Sequence, residues 1–294
     1  MSTSKTLPYL EAFSAATVWG ASFIATKVAL QDVSPITIVW MRFSMGIIVL
    51  GFSVAMRKQF SLPNKNEWGY FALLGFLGIT FHQWLQSNAL KTSEAGTTAW
   101  IVATTPVFMA LLGWLVLKEK LDWSRSFGIL LAFFGVLVVV ADGNIASISI
   151  GTFGAPGDAL VLASAVNWTI VSVLSRRGLK TYSASLFVFY MMAFGCLFTS
   201  VLFVSGGYYA EIPALSLDGW IGITFLGVFC SGLAYLWWYD ALQALTTAGT
   251  GVFLYIEPLV AIVVAFFVLA ESITIASLIG GAVILVGVWL VNRM

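Results

Sequence analysis

Residues 106–135 read PVFMALLGWLVLKEKLDWSRSFGILLAFFG, and residues 258–287 read PLVAIVVAFFVLAESITIASLIGGAVILVG. The two stretches lie 152 positions apart and share the pattern Pro-x12-Glu-x8-Gly-x6-Gly. The matched residues are Pro106 and Pro258, Glu119 and Glu271, Gly128 and Gly280, and Gly135 and Gly287. Apolar stretches often match by chance, but a shared proline, glutamate and two glycines at fixed spacing indicate an internal repeat.

The composition around this repeat is that of a membrane protein. Hydrophobic residues make up 60% of the 294 residues and charged residues only 9%, whereas soluble domains contain about 25% charged residues. The apolar residues occur in runs of about 20, which is the length a helix needs to cross the hydrocarbon core. Because water is absent there, each span must satisfy its backbone hydrogen bonds internally, and helices do so.

Hydropathy predicts ten membrane-spanning helices. Their approximate ranges are 8–30, 34–57, 67–90, 94–117, 124–141, 157–177, 183–205, 219–243, 247–269 and 273–292. If the N-terminus is inside, 11 of the 14 Lys and Arg residues fall in cytoplasmic segments. Positive residues stay on the cytoplasmic side of short loops, so we expect both termini in the cytoplasm.

The repeat divides these spans into two halves. We expect a first repeat at residues 1–141, an extracytoplasmic linker at 142–156 and a second repeat at 157–294. Because each half has five spans, an odd number, the second half is inverted relative to the first. The predicted fold is therefore an all-α integral membrane protein of ten transmembrane helices in two five-helix inverted repeats. Such repeats place a binding site near the bilayer midplane and alternate its access by rocking against each other.

Two short motifs extend the pattern towards the N-terminus, namely Trp-Gly-Ala-Ser at Trp19 to Ser22 and Met-Arg-Phe at Met41 to Phe43. With the repeated Pro-Glu-Gly-Gly frame, they resemble the EamA-type branch of the drug/metabolite transporter superfamily over essentially the whole chain. The aromatic pattern around His82-Gln83-Trp84 and Tyr235 to Tyr239 is similar to the YddG-type exporters of aromatic amino acids. The resemblance implies a basket of ten helices around a central cavity that exports small metabolites across a bacterial inner membrane.

Polar side chains within spans are candidates for the lining of such a cavity. His82, the only histidine, lies one turn from Gln86. Polar groups in a span face a cavity or a neighbouring helix, so these two residues either contact substrate or hydrogen-bond between helices. Tyr235, Trp238 and Tyr239 share a helix face because they are spaced by three and four positions. The two tyrosine hydroxyl groups favour a cavity or the bundle interior for this face, whereas Trp238 alone would also be compatible with a position facing lipid.

Three tryptophans also lie within spans, away from the interfaces where tryptophans form belts. Trp19 and Trp168 occupy matched positions, 149 residues apart, and Trp100 lies in the fourth predicted span. Aromatic walls bind aromatic rings by stacking and ammonium groups by cation–π attraction. The three tryptophans therefore line the cavity or, alternatively, pack between helices.

Two prolines and two charged residues complete the candidates. Pro106 and Pro258 interrupt their spans at equivalent positions, which predicts fixed kinks or a symmetric pair of hinges for alternating access. Glu257 must be protonated, paired or wet within the membrane; it is a candidate for proton coupling, although its repeat partner is Thr105. Arg42 is able to meet a substrate carboxylate or to pair with a carbonyl group, and we favour the structural role.

These residues favour a secondary transporter that exports aromatic and other neutral amino acids by alternating access. The alternative is efflux of aromatic cationic drugs or dyes, which an aromatic cage with a membrane carboxylate such as Glu257 or Glu11 would support. The expected partners are the amino-acid substrate and the lipid bilayer, without nucleic acid. A monomer is sufficient because both halves lie in one chain.

Other classes fit the sequence less well. A carrier of phosphate-bearing substrates needs several fixed cations, and only Lys27 and Arg42 lie within the predicted spans. An intramembrane enzyme needs a nucleophile with its base, or metal ligands. One histidine, the separated Cys196 and Cys230 and the absence of an HExxH-type motif argue against it. We therefore expect no catalysis, no cofactor and no metal.

Overall fold

The computed structural model describes residues 6–117, 123–143, 154–245 and 250–292. All regular structure in these ranges is helical. The α-helices are α1 (Leu7–Ala29), α2 (Pro35–Met56), α3 (Trp68–Gly75), α4 (His82–Ala89), α5 (Ala95–Val102), α6 (Thr105–Leu117), α7 (Trp123–Val140), α8 (Pro156–Leu179), α9 (Ala184–Ser205), α10 (Leu217–Thr224), α11 (Tyr235–Ala244), α12 (Ile256–Leu269) and α13 (Ile275–Asn292). Short 3-10 helices lie at Lys65–Glu67, Tyr208–Ala214 and Val252–Tyr255. Every apolar range that the sequence places in the membrane contains helix.

The outer surface of the bundle is apolar. Large side chains such as Ile48, Phe52 and Phe267 are exposed on it, as expected for helices solvated by lipid. Among the described residues, four helices are long and apolar enough to cross a membrane by length and composition, namely Pro35–Met56, Pro156–Leu179, Ala184–Ser205 and Leu217–Ala244. Shorter apolar helices lie at Ser126–Val140, Phe253–Leu269 and Ile275–Val291.

Two segments of π-helix join neighbouring α-helices. Phe76–Phe81 connects α3 to α4, and Phe225–Ala234 connects α10 to α11. A π turn widens the helix and turns the following side chains about the axis, and such turns are frequent at functional sites. Both segments lead directly into helices that begin with a candidate site residue, His82 in α4 and Tyr235 in α11.

The α-helical geometry is also interrupted just before each repeat proline. Helix α5 ends at Val102, and α6 begins at Thr105, so that Pro106 lies in its first turn. Proline has no backbone N–H, and its ring clashes with the carbonyl group four residues earlier. In the second half, the 3-10 helix Val252–Tyr255 precedes α12, where Pro258 is again in the first turn.

The repeat glycines lie where α7 and α13 cross. A Cβ atom on Gly128 would lie 2.6 Å from the carbonyl oxygen of Gly287, and one on Gly135 would lie 2.8 Å from that of Gly280. Only glycine allows the two backbones to approach this closely. These four glycines therefore permit close packing of α7 against α13. The two contacts are equivalent in the repeat, because Gly128 and Gly287 of one pair correspond to Gly280 and Gly135 of the other.

Some predicted features lie outside the described residues. Most of the expected linker at residues 142–156 does so, because the structure describes only residues 142–143 and 154–156 of it. Glu119 of the repeat pattern also lies outside the described residues.

Candidate substrate cavity

A cavity with about 550 Å³ of empty space, including the part open to solvent, lies inside the bundle. Its walls come from both halves of the chain. The predicted site residues that line it are Trp19, His82, Gln86, Trp168, Tyr235 and Glu257. The structure therefore brings together six side chains that lie up to 238 positions apart in the sequence.

Three aromatic rings form one part of the wall. Trp19 and Trp168 meet edge to face, with ring centroids 6.4 Å apart and ring planes at 86°. Tyr235 meets both of them, at 5.4 Å from Trp19 and 6.3 Å from Trp168. Edge-to-face contacts are favourable because the positive edge of one ring approaches the negative face of another. Trp19 is also fixed in place, because its Nε1 donates a hydrogen bond of 3.1 Å to the carbonyl oxygen of Cys230.

His82 lies beside this aromatic wall. Its ring centroid is 4.9 Å from that of Trp168, with the ring planes at 33°. The side chain is buried, and its Nδ1 has no hydrogen-bond partner among the described residues. Gln86 follows one turn later in α4 and lines the same cavity. The two side chains add hydrogen-bonding groups to the lining beside the aromatic wall.

Arg42 is a lining residue to which the sequence analysis gave a structural role. Its Nε donates to Ser231 Oγ and its Nη1 to Gln83 Oε1, each at 2.9 Å. Its Cζ also lies 5.1 Å from the ring centroid of Phe43. Nη2 makes no hydrogen bond with any residue that the structure describes. The guanidinium group is thus held by two side-chain oxygens, a hydroxyl oxygen and the amide carbonyl oxygen of Gln83, and it lies at the cavity.

Glu257 lines the cavity from α12. It is only 4% exposed, and its carboxyl group makes no hydrogen bond or ion pair with a described residue. A Cβ atom on Gly20 would lie 2.7 Å from the backbone oxygen of Glu257. The glycine therefore lets α1 pack directly against this turn of α12, next to the turn that carries Trp19.

The other three predicted lining residues do not line this cavity. Trp100 is buried against α13, where its Nε1 donates to Ser277 Oγ at 3.1 Å. The Trp238 ring packs 5.2 Å from that of Trp19, and the Tyr239 ring packs 5.6 Å from that of Phe187. The spacing of the α11 residues does place them on one side of the helix. However, that side is longer than the cavity, and only its first turn reaches the lining.

Sequence reasoning did not find every lining residue. Gln83 lines the cavity and accepts a hydrogen bond from Arg42. From the sequence, its neighbour His82 was predicted as a lining residue, but Gln83 was not. The useful signal was a second polar residue next to the only histidine within an apolar span. In the described ranges, no three His, Cys, Asp or Glu side chains form a cluster that could hold a metal ion.

The profile of the EamA-like transporter family matches residues 6–141 and again residues 155–293. The chain belongs to the EamA-like transporter family. It is accordingly a multi-pass membrane protein of a transporter family, as its apolar helices also indicate.

Proteins similar to this chain are named as transporters. It is 28% identical over 273 residues to an uncharacterized transporter of Archaeoglobus fulgidus, covering 93% of each chain. It is also 28% identical to the uncharacterized transporter YyaM of Bacillus subtilis, over 92% of this chain and 88% of that protein. A probable terminal-alkyne amino-acid exporter of Streptantibioticus cattleyicolor is 27% identical, over 94% of this chain and 90% of its own.

A solved crystal structure has a similar fold. Its TM-score to this EamA-like protein is 0.68, and the match covers 98% of this chain and 96% of the other. The sequence identity of 18% is low, so the likeness concerns the fold alone.

Proposed function

We propose that the protein is a secondary transporter that exports aromatic and other neutral amino acids by alternating access. The observation that carries this proposal is a cavity walled by Trp19, Trp168 and Tyr235 that also contains a buried guanidinium group, that of Arg42. Rings bind an aromatic side chain through edge and face contacts, each worth about 0.5–1.5 kcal/mol. A guanidinium group binds a carboxylate through charge-assisted hydrogen bonds.

Within the family, we place the protein near the YddG-type exporters of aromatic amino acids. The aromatic lining supports this placement. The named amino-acid exporter among its relatives supports amino acids as the substrate class more generally. Of the other predicted residues, Trp238 and Tyr239 are then supports behind the wall, in contact with the rings of Trp19 and Tyr235 respectively. Trp100 instead packs against α13.

We propose an architecture of ten spans in two inverted five-helix repeats, at residues 1–141 and 157–294, joined by an extracytoplasmic linker at 142–156. The two separate matches to the family profile support it. The glycine contacts between α7 and α13, which exchange with each other when the halves are exchanged, also support it. Both termini then lie in the cytoplasm, and the membrane is a bacterial inner membrane. One chain supplies both halves, so a monomer is sufficient.

In this architecture, Pro106 and Pro258 act as hinges during alternating access. Each proline follows an interruption of the helix, where backbone angles are free to change with the loss of few hydrogen bonds. Glu257 is the candidate for coupling export to protons, since it is a carboxyl group at the cavity without a fixed partner.

A second candidate function is the efflux of aromatic cations. The placement of Glu257 in the same cavity as the aromatic wall favours it, because a carboxylate with aromatic rings attracts a hydrophobic cation. Arg42 disfavours it, because a buried guanidinium group repels a substrate that carries only positive charge.

Transport by the purified protein in liposomes distinguishes the two candidates. We expect labelled phenylalanine and tryptophan to move and unlabelled neutral amino acids to compete. Trp19→Ala should reduce this transport, whereas the control Trp123→Ala should not, because Trp123 is 91% exposed and lies outside the cavity. Movement of a labelled aromatic cation without movement of amino acids would reject amino-acid export in favour of cation efflux.

A further inference from the structure

The cavity contains two groups of opposite formal charge. Among the residues that line it, only Arg42 carries a cationic group and only Glu257 a carboxyl group. They belong to different walls. Arg42 lies on α2 and is tied to Ser231 and Gln83, whereas Glu257 lies on α12 against Gly20 of α1.

Neither group forms an ion pair with any residue that the structure describes. The ion pairs in those residues join Lys27 to Glu271 and Arg57 to Asp240, and involve neither Arg42 nor Glu257. Arg42 has only neutral hydrogen-bond partners, and its Nη2 has none among the described residues. Buried charges inside a membrane protein are expensive unless they are paired or hydrated. Both groups therefore retain the capacity to bind a counter-charge in the cavity.

The two ionisable groups determine which kinds of ligand fit the cavity. A ligand with one charge would leave the other protein group without a partner, and a ligand with two like charges would be repelled by one of them. A zwitterion with a carboxylate and an ammonium group neutralises both. The rings of Trp19, Trp168 and Tyr235 then receive its apolar side chain.

We infer that this cavity recognises the zwitterionic backbone of an α-amino acid, with Arg42 binding the carboxylate and Glu257 binding the ammonium group. The inference rests on the proposed function and deepens it. It makes the two charged residues specificity determinants, and it assigns Glu257 a role in recognition whether or not that residue also exchanges protons. Selection then depends on the charges of the substrate as well as on its aromatic ring.

Competition against labelled phenylalanine in liposomes tests this inference without any substitution. The competitors are hydrocinnamate, which lacks the ammonium group, phenethylamine, which lacks the carboxylate, and unlabelled phenylalanine. We expect each singly charged analogue to compete at least about tenfold more weakly than phenylalanine, which corresponds to about 1.4 kcal/mol in binding. Equal competition by hydrocinnamate or phenethylamine would overturn the inference while leaving amino-acid export intact.

Substitution of Glu257 tests whether this residue binds the ammonium group of the substrate. Glu257→Gln should weaken competition by phenylalanine much more than competition by hydrocinnamate, so that the preference for the zwitterion falls by about tenfold. The matched control is Glu67→Gln, which removes a carboxyl group from the 3-10 helix Lys65–Glu67, outside the cavity. An unchanged preference in Glu257→Gln would overturn the assignment of the ammonium group.

Arg42 needs a second variant because it also holds Ser231 and Gln83. Arg42→Lys keeps the charge and Arg42→Gln removes it. We expect the relative preference for phenylalanine over phenethylamine to fall in Arg42→Gln and to be partly kept in Arg42→Lys. If Arg42→Gln does not fold, the analogue competition with the parent protein still decides. A parent protein that moves no phenylalanine would reject the proposed function itself, and this inference with it.

Discussion

The two proline-containing interruptions of the chain have the same cause but different chemistry. In the first half, Pro106 cannot donate to the carbonyl oxygen of Val102, and the hydroxyl group of Thr105 donates to it at 2.6 Å. In the second half, the residue before the proline is Glu257, which makes no such hydrogen bond. Both Thr105 and Glu257 line the cavity. The Thr105 hydroxyl group replaces the missing backbone donor. Its counterpart Glu257 presents a carboxyl group to the cavity.

This difference distinguishes the structural features that both halves share from the side chains that occur in only one half. The repeat supplies the shared elements, namely the prolines, the π-helical segments and the glycines at the crossing of α7 and α13. The individual positions supply the chemistry, because only one copy has a carboxyl group before its proline. A substrate with distinct ends requires a site that is not symmetric, so the site chemistry must come from positions at which the halves differ.

The largest effect should follow from making the second interruption chemically equal to the first. Glu257→Thr places a hydroxyl group where it can donate to the carbonyl oxygen of Leu254, as Thr105 does to that of Val102. We expect the variant to fold but to lose at least about tenfold in phenylalanine transport, because an ionic hydrogen bond is worth about 1.5–3 kcal/mol. Transport rates and thermal unfolding in detergent measure the two effects separately.

A Glu257→Thr protein that transports at the parental rate would show that the two interruptions are equivalent in function. The reciprocal control is Thr105→Ser, which keeps the hydroxyl group in the first half and should change neither quantity. An unfolded Glu257→Thr protein would instead show that the carboxyl group supports the fold.

The positions of the helices were largely predictable from the sequence, because apolar runs of this length have one solution in a bilayer. The interruptions before Pro106 and Pro258 were also predictable, since proline has a local effect. The π-helical segments Phe76–Phe81 and Phe225–Ala234 were not. A π turn changes one hydrogen-bond register without changing the hydropathy of the stretch, so the pattern contains no signal for it.

The site was partly predictable for a related reason. Trp19 and Trp168 were identified by their matched positions, and the structure places them in contact. Trp100 was not distinguishable from them, because a tryptophan that faces the cavity and one that packs on Gly281 look alike in a sequence. The role of Arg42 depends on its partners on α4 and on the π-helical segment, and such long-range contacts cannot be read from spacing.

The next largest effect should come from the prolines themselves. Pro258→Ala restores an N–H group that can bond to the carbonyl oxygen of Leu254, which would stiffen the proposed hinge. We expect the transport rate to fall several-fold while phenylalanine binding, measured by tryptophan fluorescence, is unchanged. Pro106→Ala should have a smaller effect, because the Thr105 hydroxyl group already occupies the carbonyl oxygen of Val102. Equal rates in both variants and in the parent would reject the hinge role.

The shared crossing of α7 and α13 should respond alike in both halves. Gly128→Ala and Gly280→Ala each bring a methyl group within 3 Å of the opposite backbone, so we expect each to lower the free energy of unfolding by about 1–3 kcal/mol. Gly69→Ala is the matched control, because a Cβ atom there has nothing within 4 Å. Thermal unfolding in detergent measures the effect. A strong loss in one glycine variant alone would contradict the proposed symmetry of the halves.

The smallest effect should come from the hydroxyl group that distinguishes the first interruption. Thr105→Ala leaves the carbonyl oxygen of Val102 without its donor, and we expect a loss of about 1–2 kcal/mol in unfolding free energy. The matched control is Thr104→Ala. Thr104 Oγ1 donates to the carbonyl oxygen of Ile101 at 2.6 Å, but that oxygen also accepts the backbone N–H of Thr104. Thr105→Ala should therefore be the less stable of the two by thermal unfolding, and equal stability would mean that the hydroxyl group does not compensate for the proline.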